Sequence, residues 1–141
     1  TLHEEFMEGD ASAKATEISQ QMSSAATGIH IWGGETAVTL PKNPGRGGRN
    51  QHFALVAAKV LAGQDDVVLL AAGTDGTDGP TEDAGGIVDG SSAARGQQLG
   101  LDLEQYLKQA YACICLEALG DLVTTGPTGT NVMDLVVALK R

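Results

Sequence analysis

A chain of 141 residues and 14.5 kDa is the size of one ordinary domain, and 42% hydrophobic against 19% charged residues excludes intrinsic disorder. Nine Lys and Arg against eighteen Asp and Glu give a formal charge of −9, so broad binding to nucleic acid or to an anionic membrane would work against the field of the whole chain. The longest run of Ala, Val, Ile and Leu covers residues 67–72, far below the roughly 20 apolar residues of a membrane-spanning helix.

Taken in chain order, the opening residues Thr1, Leu2, His3, Glu4 and Glu5 lack the basic and apolar regions of a secretion signal. The absence of a starting Met points to a fragment or a processed product. Asp10 is placed to cap a helix running to about Ala26, with Ala13, Ile18 and Met22 on one face and Gly28 beyond its end. Residues 29–32 and 36–40 are rich in β-branched side chains around Gly33, Gly34 and Glu35, the pattern of two strands joined by a tight turn. Residues 41–50 read as a loop and 51–62 as an Ala- and Leu-rich helix stopped by Gly63.

The apolar run 67–72 predicts a strand buried on both faces, hence a parallel or mixed sheet with helices on either side. Residues 73–90 then form a long loop with six glycines and five carboxylates, a length that is usually functional in a compact domain. Helices are expected over about 91–99 and 102–109, a helix or turn over 117–122, a Thr/Gly loop over 124–131 and a last strand over 135–139. Cys113 and Cys115 stand two apart, where neither helix nor strand geometry turns them together, and read as reduced core residues of a cytoplasmic protein. His3, His30 and His52 show no zinc spacing and receive no role.

Chemistry is concentrated in the loops. Lys42, Arg46 and Arg49 bring a third of the nine fixed positive charges into residues 41–52 with no acid among them. Arg46-Gly47-Gly48-Arg49 runs into a helix, so free backbone N–H groups and guanidinium groups could surround a phosphate or carboxylate; the alternative is a turn whose arginines pair with surface acids. The segment lacks the Gly-Lys-Ser/Thr of a Walker A loop. In Gly73-Thr74-Asp75-Gly76-Thr77-Asp78-Gly79-Pro80, at the carboxyl end of the apolar strand, Asp75 and Asp78 could ligate Mg²⁺ or accept a proton from a substrate hydroxyl, or could serve their own backbone as Asx-turns. Thr124-Thr125-Gly126-Pro127-Thr128-Gly129-Thr130-Asn131 and Gly33-Gly34-Glu35-Thr36 offer hydroxyl, amide and N–H groups to a polar anion. No Gly-x-Gly-x-x-Gly fingerprint of a dinucleotide site is present.

Four segments in order, Gly33 to Thr36, Gly45 to Gln51, Ala72 to Pro80, and Glu117 to Leu122 leading into Thr125 to Val132, resemble the C-terminal MOFRL domain of class II glycerate 2-kinases, a family in which some members have borne the name hydroxypyruvate reductase. The resemblance spans nearly the whole chain. It implies an α/β domain of a two-domain enzyme that phosphorylates D-glycerate at its 2-hydroxyl, giving 2-phosphoglycerate, with ATP and Mg²⁺ in a cleft between the domains. The larger N-terminal domain, with its catalytic lysine, would be the missing partner, and the isolated chain would be inactive.

Under this reading the fold is a three-layer domain with a mixed, largely parallel sheet flanked by helices. Residues 1–28 would be a helix leading into it and 29–141 the α/β domain. Arg49, Arg46 and Asp75 are the expected catalytic residues, and Asp75 and Asp78 the metal ligands. Gly34, Glu35, Thr36, Gly47, Gly48, Asn50, Thr74, Thr128, Gly129, Thr130 and Asn131 are expected to bind substrate or nucleotide. One stretch departs from the family: Ala110-Tyr111-Ala112-Cys113 stands where an Asn-Asp-Ser-Tyr-like segment is usual, which removes polar side chains. Two other readings are a hydroxypyruvate reductase and a non-catalytic binding or oligomerisation module.

Overall fold

The computed structural model describes residues 1–141. It opens with β1 (Met7–Asp10) and α1 (Ala11–Ser23), joined at Asp10, whose carboxylate accepts the Ala13 N–H at 2.9 Å as an N-cap. The expected pair of strands over 29–40 is instead one strand of ten residues, β2 (Gly28–Ala37). Gly33 and Gly34 continue the strand rather than reverse it. Gly34 lies in register with Met7 of β1, and a Cβ there would overlap the Met7 carbonyl, so the glycine serves the close approach of two backbones.

Next come α2 (Arg49–Val60) and β3 (Val67–Gly73), close to expectation. The long loop is shorter than expected because its end forms a strand, β4 (Gly85–Asp89), paired antiparallel with β3. Helices α3 (Ser92–Gln98) and α4 (Leu103–Lys108) follow, the second capped by Asp102. The helix α5 (Ala112–Leu119) starts earlier than the sequence pattern indicated and carries both cysteines into the core. Then come β5 (Leu122–Val123) and β6 (Asp134–Lys140).

The six strands lie in the order β1-β2-β6-β3-β4-β5. The sheet is mixed, as expected, but the β1–β2 pairing alone is parallel and the rest are antiparallel, which corrects the largely parallel arrangement. The cause is β6: the last strand inserts between β2 and β3 and runs opposite to both.

A second correction concerns the layers. Helix α2 packs on β3 and β4, and the other four helices pack around it. Every sheet residue of the main core, including Trp32, Leu69, Val88, Val136 and Ala138, lies on this one face, against Phe53, Leu55, Ile18, Met22 and Leu116. The opposite face leaves Ile29, Ile87 and Leu139 exposed and Val68, Leu70 and Val137 half-buried. Within this chain there are two layers. Residues 67–72 alternate between buried and half-buried, so their uniform apolarity does not mean that helices cover both sides. No helix is long and apolar enough to cross a membrane.

Candidate functional site

The site gathers at one end of the central strands, where the chain leaves β3, enters β6 and starts α2. The residues before α2 contain glycine because another part of the chain comes close. Gly48 would place a Cβ on the Asp78 carboxylate, and that carboxylate caps the helix from across the fold. Asp78 Oδ1 accepts from the Asn50 backbone N–H and from Asn50 Nδ2, both at 3.1 Å, and Oδ2 accepts from the Gln51 N–H at 2.8 Å. Gln51 Nε2 in turn donates to Thr81 Oγ1 at 2.7 Å, and the Thr81 hydroxyl donates to the Asp78 carbonyl at 2.8 Å.

This cap alters two expectations. The N–H groups at the start of α2, which the sequence offered to an anionic ligand, already hold a carboxylate of the chain itself. Asp78 also has both oxygens engaged by N–H donors and lies 2% exposed, which does not fit a metal ligand. Burial pushes its pKa up to about 6, against the opposing pull of its N–H donors and of nearby Arg49.

Arg49, the first residue of α2, reaches β6. Its Nε donates to Asp134 Oδ2 at 2.6 Å and its Nη2 to Asp134 Oδ1 at 2.9 Å, while Glu35 Oε1 at the end of β2 stands 3.3 Å from Nη2. Asp134 is completely buried and one third of the Arg49 side chain is exposed. The hydrogen bond to Asp134 raises the Arg49 pKa above the ordinary arginine value. Asp75 joins the group: its Oδ1 and that of Asp134 lie 3.4 and 3.7 Å from where a Cβ on Gly73 would sit.

Asp75 is also an Asx-turn residue, its Oδ1 accepting the Thr77 N–H at 2.9 Å and the Thr77 hydroxyl at 3.1 Å. These bonds hold its carboxyl below the usual aspartate range, so it stays ionised at neutral pH. Its Oδ2 receives no hydrogen bond from the chain, which leaves one carboxylate oxygen for a ligand. No three His, Cys, Asp or Glu residues are grouped to hold a metal by themselves. A single carboxylate oxygen fits Mg²⁺ that keeps its remaining coordination for water and phosphate oxygens.

The Thr/Gly loop lies over the Asp75 loop. Thr128 Oγ1 donates to the Thr74 carbonyl at 2.6 Å, the Thr74 hydroxyl donates to the Met133 carbonyl at 2.7 Å, and Asn131 Oδ1 accepts the Met133 N–H at 3.0 Å. Thr74, Thr128 and Asn131 are thus brought to the site, but with these groups already engaged; Gly129 and Thr130 lie exposed on the same loop.

Gly47 packs on the backbone of residues 110–113, and the Cys113 N–H donates to the Arg46 carbonyl at 3.2 Å, so the segment that departs from the family pattern braces the basic loop. Arg46 itself faces Asp83 at 3.8 Å, half exposed. A cleft of about 340 Å³ runs between the end of β2, Gly47–Arg49 and the Gly79–Pro80 turn, with Glu35, Thr36 and His52 in its walls.

Sequence reasoning missed Asp134, whose partner is 85 positions away and which no spacing or short motif marks. His52, which received no role from the sequence, has its Nε2 2.8 Å from Ser12 Oγ and its buried Nδ1 without a partner.

The MOFRL family profile matches residues 28–134. Among curated relatives, a D-glycerate 2-kinase of Thermotoga maritima is 55% identical over 109 residues, 77% of this chain and 26% of the relative. A glycerate 2-kinase of Pyrococcus horikoshii is 44% identical over 79% of this chain and 25% of its own length, and a putative hydroxypyruvate reductase of Agrobacterium vitis is 40% identical over 79% and 26%. The crystal structure of a glycerate kinase from Thermotoga maritima superposes with a TM-score of 0.95 at 42% identity, covering 100% of this chain and 36% of that one. The chain therefore spans about a quarter of the length of these curated relatives. With the profile covering the strands, loops and helix start that build the Arg49 cluster, the chain belongs to the MOFRL family.

Proposed function

We propose that this chain forms one wall of the active site of an ATP-dependent D-glycerate 2-kinase, a cytoplasmic enzyme that makes 2-phosphoglycerate and whose other wall is an N-terminal domain outside these 141 residues. The observation that carries this reading is the Arg49 guanidinium, fixed between Asp134 and Glu35 beside the ionised Asp75 at the end of β3. Phosphoryl transfer is mostly positioning and neutralisation of charge, and a guanidinium in a fixed orientation suits a phosphoryl or carboxylate oxygen. Arg49 would hold such an anionic group, and Glu35 and Thr36 would line the approach to it through the cleft. Asp75 would hold Mg²⁺, which neutralises phosphate charge when bound. Its lowered pKa suits a ligand better than a general base, whose pKa should lie near the working pH. Arg46, Gly129 and Thr130 would act at the rim, whereas Asp78, Gly48 and Asn50 would shape the site from within. The two cysteines are free and buried, as suits the cytoplasmic setting.

The test is a chimera in which this chain replaces the matching C-terminal part of the Thermotoga maritima D-glycerate 2-kinase. The chimera should phosphorylate D-glycerate with ATP and Mg²⁺, while the chain alone should not. A folded chimera with no kinase activity, or one that instead reduces hydroxypyruvate with NADH, would overturn the proposal.

A further inference from the structure

We propose that Asp134 is a positioning residue: its buried carboxylate holds the Arg49 guanidinium side-on and thereby presents the opposite, Nη1/Nη2 end to an anionic group of the substrate. The inference rests on the reading that Arg49 contacts substrate.

A guanidinium has two edges that can each grip a carboxylate or phosphate with two parallel N–H donors. Asp134 takes the edge made by Nε and Nη2, at 2.6 and 2.9 Å. Nη1 donates to no atom of the chain, Glu35 stands 3.3 Å from Nη2 but is half exposed and accepts no hydrogen bond from it, and one third of the Arg49 side chain is open to solvent. The remaining edge is therefore the one a ligand can meet by displacing Glu35. The slot for this clamp is built into the sheet. Asp134 is the first residue of β6, and its partners in register are Gly34 on β2 and Gly73 on β3, so no side chain on either side crowds the carboxylate. Its complete burial leaves Arg49 as the charge that compensates it and denies it a second orientation.

The clamp also sets the nature of the contact. The Arg49–Asp134 pair is neutral as a unit, and Glu35 and Asp75 add negative charge beside it, so the site would hold an anion by directed N–H groups rather than by excess positive field. Two roles for Asp134 therefore diverge. If it merely balanced charge, Asp134→Asn would uncover a positive charge and tighten the binding of D-glycerate. If it positions Arg49, the same change lets the guanidinium turn, and misplacement on the ångström scale costs about 10²-fold in turnover.

In the chimera, Asp134→Asn should lower kcat by about 10²-fold with no fall in KM for D-glycerate. Against Arg49→Lys, the same substitution should cost less than about threefold more, because two changes acting through one group are not additive. Additive losses, or Asp134→Asn turning over within about threefold of the parent while Arg49→Lys is crippled, would overturn the positioning role and leave the functional reading intact. An Arg49→Lys chimera with unchanged kcat/KM would overturn both. Should Asp134→Asn fail to fold, nitrogen-15 NMR of the unmodified chain still tests the clamp. The Arg49 Nε–H, assigned by its loss in Arg49→Lys, should exchange with water about tenfold more slowly than that of Arg46 and persist when inorganic phosphate is added. Exchange as fast as at Arg46 would overturn the proposal.

Discussion

Asp75 and Asp78 sit three positions apart in one loop, and the fold gives them opposite environments. Asp75 is held ionised near the surface by Thr77, while Asp78 is sealed under the start of α2 with its pKa raised from 3.8 to about 6 by burial. A raised folded-state pKa means that the native state binds the proton more tightly than the unfolded chain, so Asp78's contribution to stability is full below about pH 4 and is lost as pH rises through 6. The shift corresponds to on the order of 3 kcal/mol. Urea unfolding of the parent and of Asp78→Asn at pH 4, 5, 6 and 7 should show their difference in stability changing by a large part of that amount, since the variant has no proton to release there. An equal pH slope in both chains would refute it. Asp75→Asn, in contrast, keeps the oxygen that makes the Asx-turn and should leave the melting temperature of the chain unchanged, while lowering Mg²⁺-dependent turnover of the chimera roughly 10²-fold. Unchanged turnover would remove Asp75 from the site. The sequence made Asp75 visible through its glycine-flanked repeat after an apolar strand. The same repeat made Asp78 look equivalent, because burial is a property of the assembled loops and not of the repeat.

The elements were legible where a local rule decided them. Asp10 and Asp102 cap their helices as the residue type predicts, and β3 lies where the apolar run placed it. The misreadings share one cause: a distant segment supplied the deciding contact. Gly33 and Gly34 looked like a turn until β1 passed beside them, and the β4 strand looked like loop because two of its five residues are glycine. Gly85 needs that absence of side chain to lie against Ala71 of β3. Gly34→Ala should therefore destabilise the chain by more than about 1 kcal/mol, outweighing the similar amount by which Ala is favoured over Gly in ordinary strand backbone, because its Cβ would enter the Met7 carbonyl and push β1 from the sheet. Gly63→Ala, whose Cβ would meet nothing but whose φ is +81°, is the comparison that isolates backbone strain alone. Chemical denaturation of both variants would test this, and an equal loss in the two would show that the β1 contact is not what Gly34 protects.

At the scale of the molecule, the chain combines a closed core with an open sheet. Leu69 and Val136 face the helices and are fully buried, while directly paired Ile29 and Leu139, on the opposite face, are 55% and 40% exposed. Contiguous exposed apolar surface of this kind binds apolar dyes without unfolding. The native chain should enhance the fluorescence of anilinonaphthalene sulfonate at neutral pH, even though the dye is an anion and the chain carries −9, because electrostatic repulsion opposes the binding and only apolar contact favours it. Replacing Ile29 and Leu139 together with Thr puts a β-branched side chain of high strand propensity at both positions and removes much of the apolar surface, so fluorescence should fall severalfold with a stability change of about 1 kcal/mol or less. Leu69→Ala should do the reverse. It costs about 2–5 kcal/mol by opening a cavity between sheet and helices, and any dye response should grow as the core loosens. If the double Thr chain binds dye as strongly as the parent while retaining its melting temperature, the open face is not the dye site. If the native chain gives no enhancement at all, the open face does not bind the dye and the prediction fails.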